Sequence, residues 1–157
     1  MVELLFNPLQ SEDMNVFSRA LFTLNNLIVD NEQVRNQVLA KGALDLVVNR
    51  LRSTSQAEEL SILEMAIFLR FMTASQPKLD SQCTEKVLTP MFLLLTTQSE
   101  RILDEACKVI TAITCYGREQ VTQVFDKSLV ERVFDLCDFL PSALHVISNI
   151  IVYGNEE

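Results

Sequence analysis

The 157-residue sequence contains no tryptophan, one histidine, three glycines and four prolines. A single histidine excludes most metal sites and any proton relay built from two histidines. So little glycine and proline excludes a fold rich in tight turns and leaves room for continuous helix. No glycine-rich phosphate loop, G-x-S-x-G elbow or H-E-x-x-H is present. Ser148 stands three residues from His145 on one helical stretch, which is no known nucleophile arrangement, and Glu58-Glu59 and Glu156-Glu157 are adjacent carboxylates that read as solvated. Neither catalytic residues, nor a bound metal, nor a cofactor is expected, and the chain reads as non-enzymatic. The longest apolar runs, such as Met91 to Leu95, are far too short to cross a bilayer, so no membrane insertion is expected. With 13 Lys and Arg against 21 Asp and Glu, the net charge is −8 and no basic stripe offers itself to phosphates. Nucleic acid is therefore not an expected partner, while an acidic surface suits a basic protein or peptide. Cys83, Cys107, Cys115 and Cys137 show no C-x-x-C spacing and follow no signal peptide, and Cys107 and Cys137 read as small core residues in apolar helical stretches. An intracellular protein of the cytoplasm or nucleus is the expectation.

What is present is one helix written four times. Its copies begin at Ser18, Leu63, Asp104 and Pro141, and each runs about ten residues with helical apolar spacing. Ala20, Leu21, Leu24 and Leu27 show the buried stripe of the first copy. Repeats of about 40 residues with this periodicity form stacked α-solenoids, in which each unit buries its apolar face on its neighbours. Apolar residues make up 48% of the chain and charged residues 22%, in keeping with a folded, core-bearing domain.

The second unit is the most legible. A short helix from Asn31 to Ala40 leads into a Lys41-Gly42 turn, a second helix from Ala43 to Leu51, a break at Ser53 to Gln56, and a third helix from Glu58 to Thr73. Gly42 is placed to supply the positive φ that often ends a helix, and Gly117 and Gly154 stand at a matching place after later third helices. Four approximate units, 1–29, 30–76, 77–116 and 117–157, make a single domain. The first begins at its second helix, Val2 to Phe6, and no polar capping repeat flanks the outer units. The chain is thus expected to be a piece of a longer protein or to have its ends covered in a larger complex.

Residues 34–51 (VRNQVLAKGALDLVVNRL) resemble an armadillo repeat, with its Lys-Gly-Ala-Leu turn between helices. Residues 140–150 (LPSALHVISNI) and 22–30 (FTLNNLIVD) resemble third helices of importin-α, the nuclear-import adaptor, near its central repeats. The resemblance implies an all-α, right-handed armadillo superhelix of about four repeats, the outer ones incomplete. It also implies a concave groove lined by the third helices, in which Trp and Asn ladders hold an extended basic peptide of the nuclear-localisation type. Asparagine amides would bond the peptide backbone, and aromatic faces would flank lysine stems.

Mapped onto this chain, the Trp row reads Phe22, Ile67, Lys108 and His145, and the Asn row reads Asn26, Phe71, Ala112 and Asn149. Asp30 completes a Phe22-Asn26-Asp30 triplet. The departures are substantial. The Trp ladder is absent, Lys108 would repel a bound lysine, and Phe71 and Ala112 cannot bond a peptide backbone. Two functions are consistent with this pattern: an importin-α-like adaptor for nuclear protein import, and a scaffold subunit derived from one, fixed in a larger assembly with a degenerate groove. For Asn26 and Asn149, the alternative to peptide binding is a bond to a neighbouring repeat or to a backbone carbonyl.

Overall fold

The computed structural model describes residues 2–29, 31–56, 58–124 and 127–154, with the side chains of Gln123 and Lys127 outside the description. Within these residues the secondary structure is helical and contains no strand. In chain order the helices are α1 (Val2–Leu9), α2 (Met14–Ile28), α3 (Glu32–Ala40), α4 (Ala43–Ser53), α5 (Glu59–Ala74) and α6 (Ser81–Leu88). They continue with α7 (Met91–Leu95), α8 (Glu100–Thr114), α9 (Arg118–Val124), α10 (Lys127–Leu136) and α11 (Pro141–Gly154). After the opening pair α1–α2, they group into triplets α3–α5, α6–α8 and α9–α11.

Local chemistry sets these boundaries. Asp13 caps α2 by accepting from the Asn15 N–H at 2.8 Å, Asn31 caps α3 from Val34 at 3.0 Å, and Asp80 caps α6 from Cys83 at 2.7 Å. Each satisfies an amide that the first helical turn leaves without a partner. Gly42, at φ 76°, makes the left-handed link between α3 and α4. Gly117 plays the matching role after α8 with φ 117°. Gly154 differs from expectation, being the last residue of α11. The second helix of the α6–α8 triplet is also shorter than the pattern implies, since α7 keeps only five residues. Cys137 lies in the turn after α10 and is half-buried, outside the helix assigned to it from sequence.

The four long helices α2, α5, α8 and α11 stack side by side, and their contacts form the spine of the molecule. Phe17, Leu21, Leu24, Phe68, Leu69, Cys107 and Ile110 are among the fully buried side chains along it. Burying a side chain of leucine or phenylalanine size contributes about 1.5–3 kcal/mol, so this shared core is what stabilises each unit.

Arginines tie the outer helices to this spine. Arg35 on α3, only 1% exposed, donates from Nε and Nη2 to the Met72 carbonyl in the last turn of α5, at 3.1 and 2.7 Å. Arg132 on α10 donates to the Leu95 carbonyl at 2.8 Å, and Arg50 on α4 donates to the Ser11 carbonyl. Each brings a cation to a helix end or loop whose carbonyls lack partners.

Candidate functional site

The sequence-derived candidates lie on α2, α5, α8 and α11 in different states, and on α5, α8 and α11 some of the side chains left outside the core share one face. Phe22 is 56% exposed. Asn26, one turn on, is also exposed, and its Nδ2 donates at 3.1 Å to the Phe22 carbonyl of its own helix. Asp30 lies outside the described residues. On α5, Ile67 and Phe71 are half-buried against the core. The Arg70 guanidinium sits 4.3 Å from the Phe71 ring centroid, so this ring already carries a cation from the chain itself.

On α8, Lys108 is exposed and Ala112 half-buried. The Lys108 ammonium pairs with Asp104 at 2.6 Å and Glu105 at 3.0 Å. The bond to Asp104 chiefly raises its pKa above the ordinary lysine value, with burial opposing. Glu105 also accepts from Arg70 Nε at 2.5 Å, linking α5 to α8. Lys108 is therefore the edge of a paired network, and its charge is largely matched by its own helix.

On α11, His145 is exposed and Asn149 half-buried. Asn149 Nδ2 donates across to α8, at 3.0 Å to Thr114 Oγ1 and 3.3 Å to the Thr111 carbonyl. Its amide thus bonds the neighbouring repeat.

The sequence pattern passed over the residue next to Asn26. Asn25 is 3% exposed, and its Nδ2 donates at 3.1 Å to both the Glu64 carbonyl and Glu64 Oε2 on α5. Its Oδ1 is buried with no hydrogen bond. Burial raises the Glu64 carboxyl above the usual glutamate value, and the Asn25 amide offsets part of that. Arg70 holds the same register on α5 as Asn25 on α2. The signal available in the sequence was this offset: Asn25 and Arg70, which precede the first two Asn-row positions, reach forward to the next third helix.

Between α5, α8 and α11 the face dips into a cavity of about 270 Å³, lined by Arg70, Lys108, Thr111, Cys115, Ser142 and His145 among others. A larger cavity, of about 460 Å³, opens among α6, α7, α9 and α10, beside Glu85, Phe92 and Leu129. It belongs to the first and second helices of their triplets and lies away from the candidate residues. Among the described residues no three histidine, cysteine or acidic side chains group as metal ligands, and no helix is long and apolar enough to cross a membrane.

A designed armadillo repeat protein, YIII(Dq)4CqI, superposes with a TM-score of 0.80 at 21% identity, over 96% of this chain and 64% of that one. The fold is that of an armadillo-repeat protein. A designed armadillo repeat protein in complex with the peptide (KR)4 superposes with a TM-score of 0.78 at 22% identity, covering 95% of this chain and 64% of its own. In sequence, importin subunit alpha-1b of Oryza sativa subsp. japonica is 26% identical over 155 residues. That alignment takes in 98% of this chain but only 28% of the importin. No protein-family model matches the sequence.

Proposed function

We propose that this armadillo chain is a non-enzymatic binding protein that holds an extended peptide along the shared face of α2, α5, α8 and α11, in the manner of an importin-α-type adaptor for nuclear import. The observation that carries the reading is the state of Phe22 and Asn26. They lie one turn apart on an exposed face of α2, and the Asn26 amide is held only by a carbonyl of its own helix. That bond is exchanged for one to a peptide backbone without uncovering any buried group. The Phe22 face and the net charge of −8 suit a lysine-bearing peptide at this end. The sequence likeness to an importin subunit and the fold shared with a (KR)4-binding design support the same reading. Under it, the protein works in the cytoplasm and nucleus.

A second reading, a scaffold subunit within a larger assembly, is favoured by the pairing elsewhere on this face. Asn25, Arg70 and Asn149 bridge neighbouring third helices, and Lys108 is paired with carboxylates of its own. Anisotropy of a labelled lysine- and arginine-rich peptide, titrated with parent and Asn26→Ala proteins, separates the two. Saturable binding that weakens in the variant supports the adaptor, and no binding to either protein supports the scaffold.

A further inference from the structure

Resting on the peptide-groove reading, we infer that the cavity between α5, α8 and α11 is a subsite for an oxyanion-bearing side chain of the bound peptide, a phosphoserine or a glutamate. It would thus select the opposite charge to the Phe22 end. The cavity is lined by Arg70, Lys108 and His145, and among the described residues no carboxylate lines it. Asp104 and Glu105, the partners of the two cations, are absent from its wall. The donors are not exhausted by those partners. Arg70 uses Nε on Glu105, and the guanidinium carries further N–H groups, while the Lys108 ammonium has three donors and two carboxylate contacts. His145 is exposed beside them.

Two hydroxyls sharpen the inference. Thr111 Oγ1 and Ser142 Oγ both belong to residues lining the cavity, and both are buried without a hydrogen bond. The Ser142 hydroxyl lies beside Asp104 and Cys107 and helps to hold the Asp104 carboxyl below its ordinary value, so Thr111 Oγ1 is the clearer of the two. Buried hydroxyls without partners are uncommon and call for an explanation. A ligand rich in acceptors satisfies them, whereas a lysine ammonium would add donors to a wall already rich in them. Ser142 also stands in the first turn of the 14-residue α11, where the helix dipole favours negative charge.

His145 is the only histidine in the chain, so its ring proton resonances report on this cavity alone. The test follows those signals by NMR at physiological salt. The parent protein is titrated with nine-residue capped Gly/Ser peptides whose central residue is serine, phosphoserine or glutamate, and with a lysine-rich peptide and inorganic phosphate. The phosphoserine and glutamate peptides are expected to move the signals saturably, the serine peptide is not, and Lys108→Ala is expected to weaken the effect about tenfold. Three results would overturn the subsite: anionic peptides that leave the signals in place, a lysine-rich peptide that moves them as strongly, or free phosphate that binds as well as the phosphopeptide. Should the lysine-rich peptide bind elsewhere on the protein while the anionic ones do not, the subsite fails and the groove stands. If no peptide of either charge binds, both fail.

Discussion

Asn25 on α2 donates through Nδ2 to both the backbone carbonyl and the side chain of Glu64 on α5, each at 3.1 Å, while its own Oδ1 is buried without a partner. Asn149 on α11 makes the reverse connection, back to Thr111 and Thr114 on α8. Amides of the third helices thus act as braces between repeats, and Asn26 is distinguished by making only a bond within its own helix. Asn149→Ala is expected to lower unfolding stability by about 1–2 kcal/mol, because it removes the link between α11 and α8 and leaves the buried Thr114 hydroxyl oxygen without a donor. Asn26→Ala is expected to change it by less than about 0.5 kcal/mol. Urea denaturation followed by circular dichroism reads both.

Glu64 makes that joint sensitive to pH. Its folded carboxyl is raised by burial, so the folded state binds a proton more readily than the unfolded chain. For an acid shifted upward, stability falls as pH rises from the unfolded value of about 4.5 through the folded one. Glu64→Gln keeps an acceptor for Asn25 and removes the charge. The variant is expected to be more stable than the parent at pH 7 and to match it at pH 4, measured as urea midpoints.

Arg35 is a buried cation bonded to the Met72 carbonyl, and burial lowers its pKa. Arg35→Lys retains charge but cannot reproduce the two-pronged contact with Met72. A loss of about 1.5–3 kcal/mol is expected, the range for a hydrogen bond involving a charged group. The melting temperature of the variant checks it.

The cysteines divide by environment. Burial pushes the Cys107 thiol up to about 12, whereas Cys115 is exposed and lines the α5–α8–α11 cavity. A thiol reagent is expected to label Cys115 promptly under native conditions and Cys107 only on unfolding. Maleimide on Cys115 is also expected to block the cavity, which the Cys115→Ser protein, treated alike, would control for.

Much of this was legible in the sequence and some was not. The four third helices and the Gly42 turn follow from periodicity and from residues with strong local preferences, whereas Asn31, read as the first residue of its helix, proves to be its cap. The importin-like spacing, by contrast, selected Asn26 and overlooked Asn25, because pattern alone does not say which of two adjacent amides faces the next helix. Arg35 also escaped notice, since arginine is rarely buried and only the fold brings the Met72 carbonyl to it. Lys108 read as a repelling charge, and its pairing with Asp104 and Glu105 emerges only from side-chain placement on α8.

The most direct test of the concave-face claim is anisotropy of a fluorescent lysine- and arginine-rich peptide at low and at physiological salt, with parent, Phe22→Ala and Asn26→Ala proteins. Saturable binding that persists at physiological salt and weakens by about 1–3 kcal/mol in Asn26→Ala is expected. Binding that disappears with modest salt and ignores both substitutions would reflect attraction to an acidic surface alone and would contradict a peptide groove.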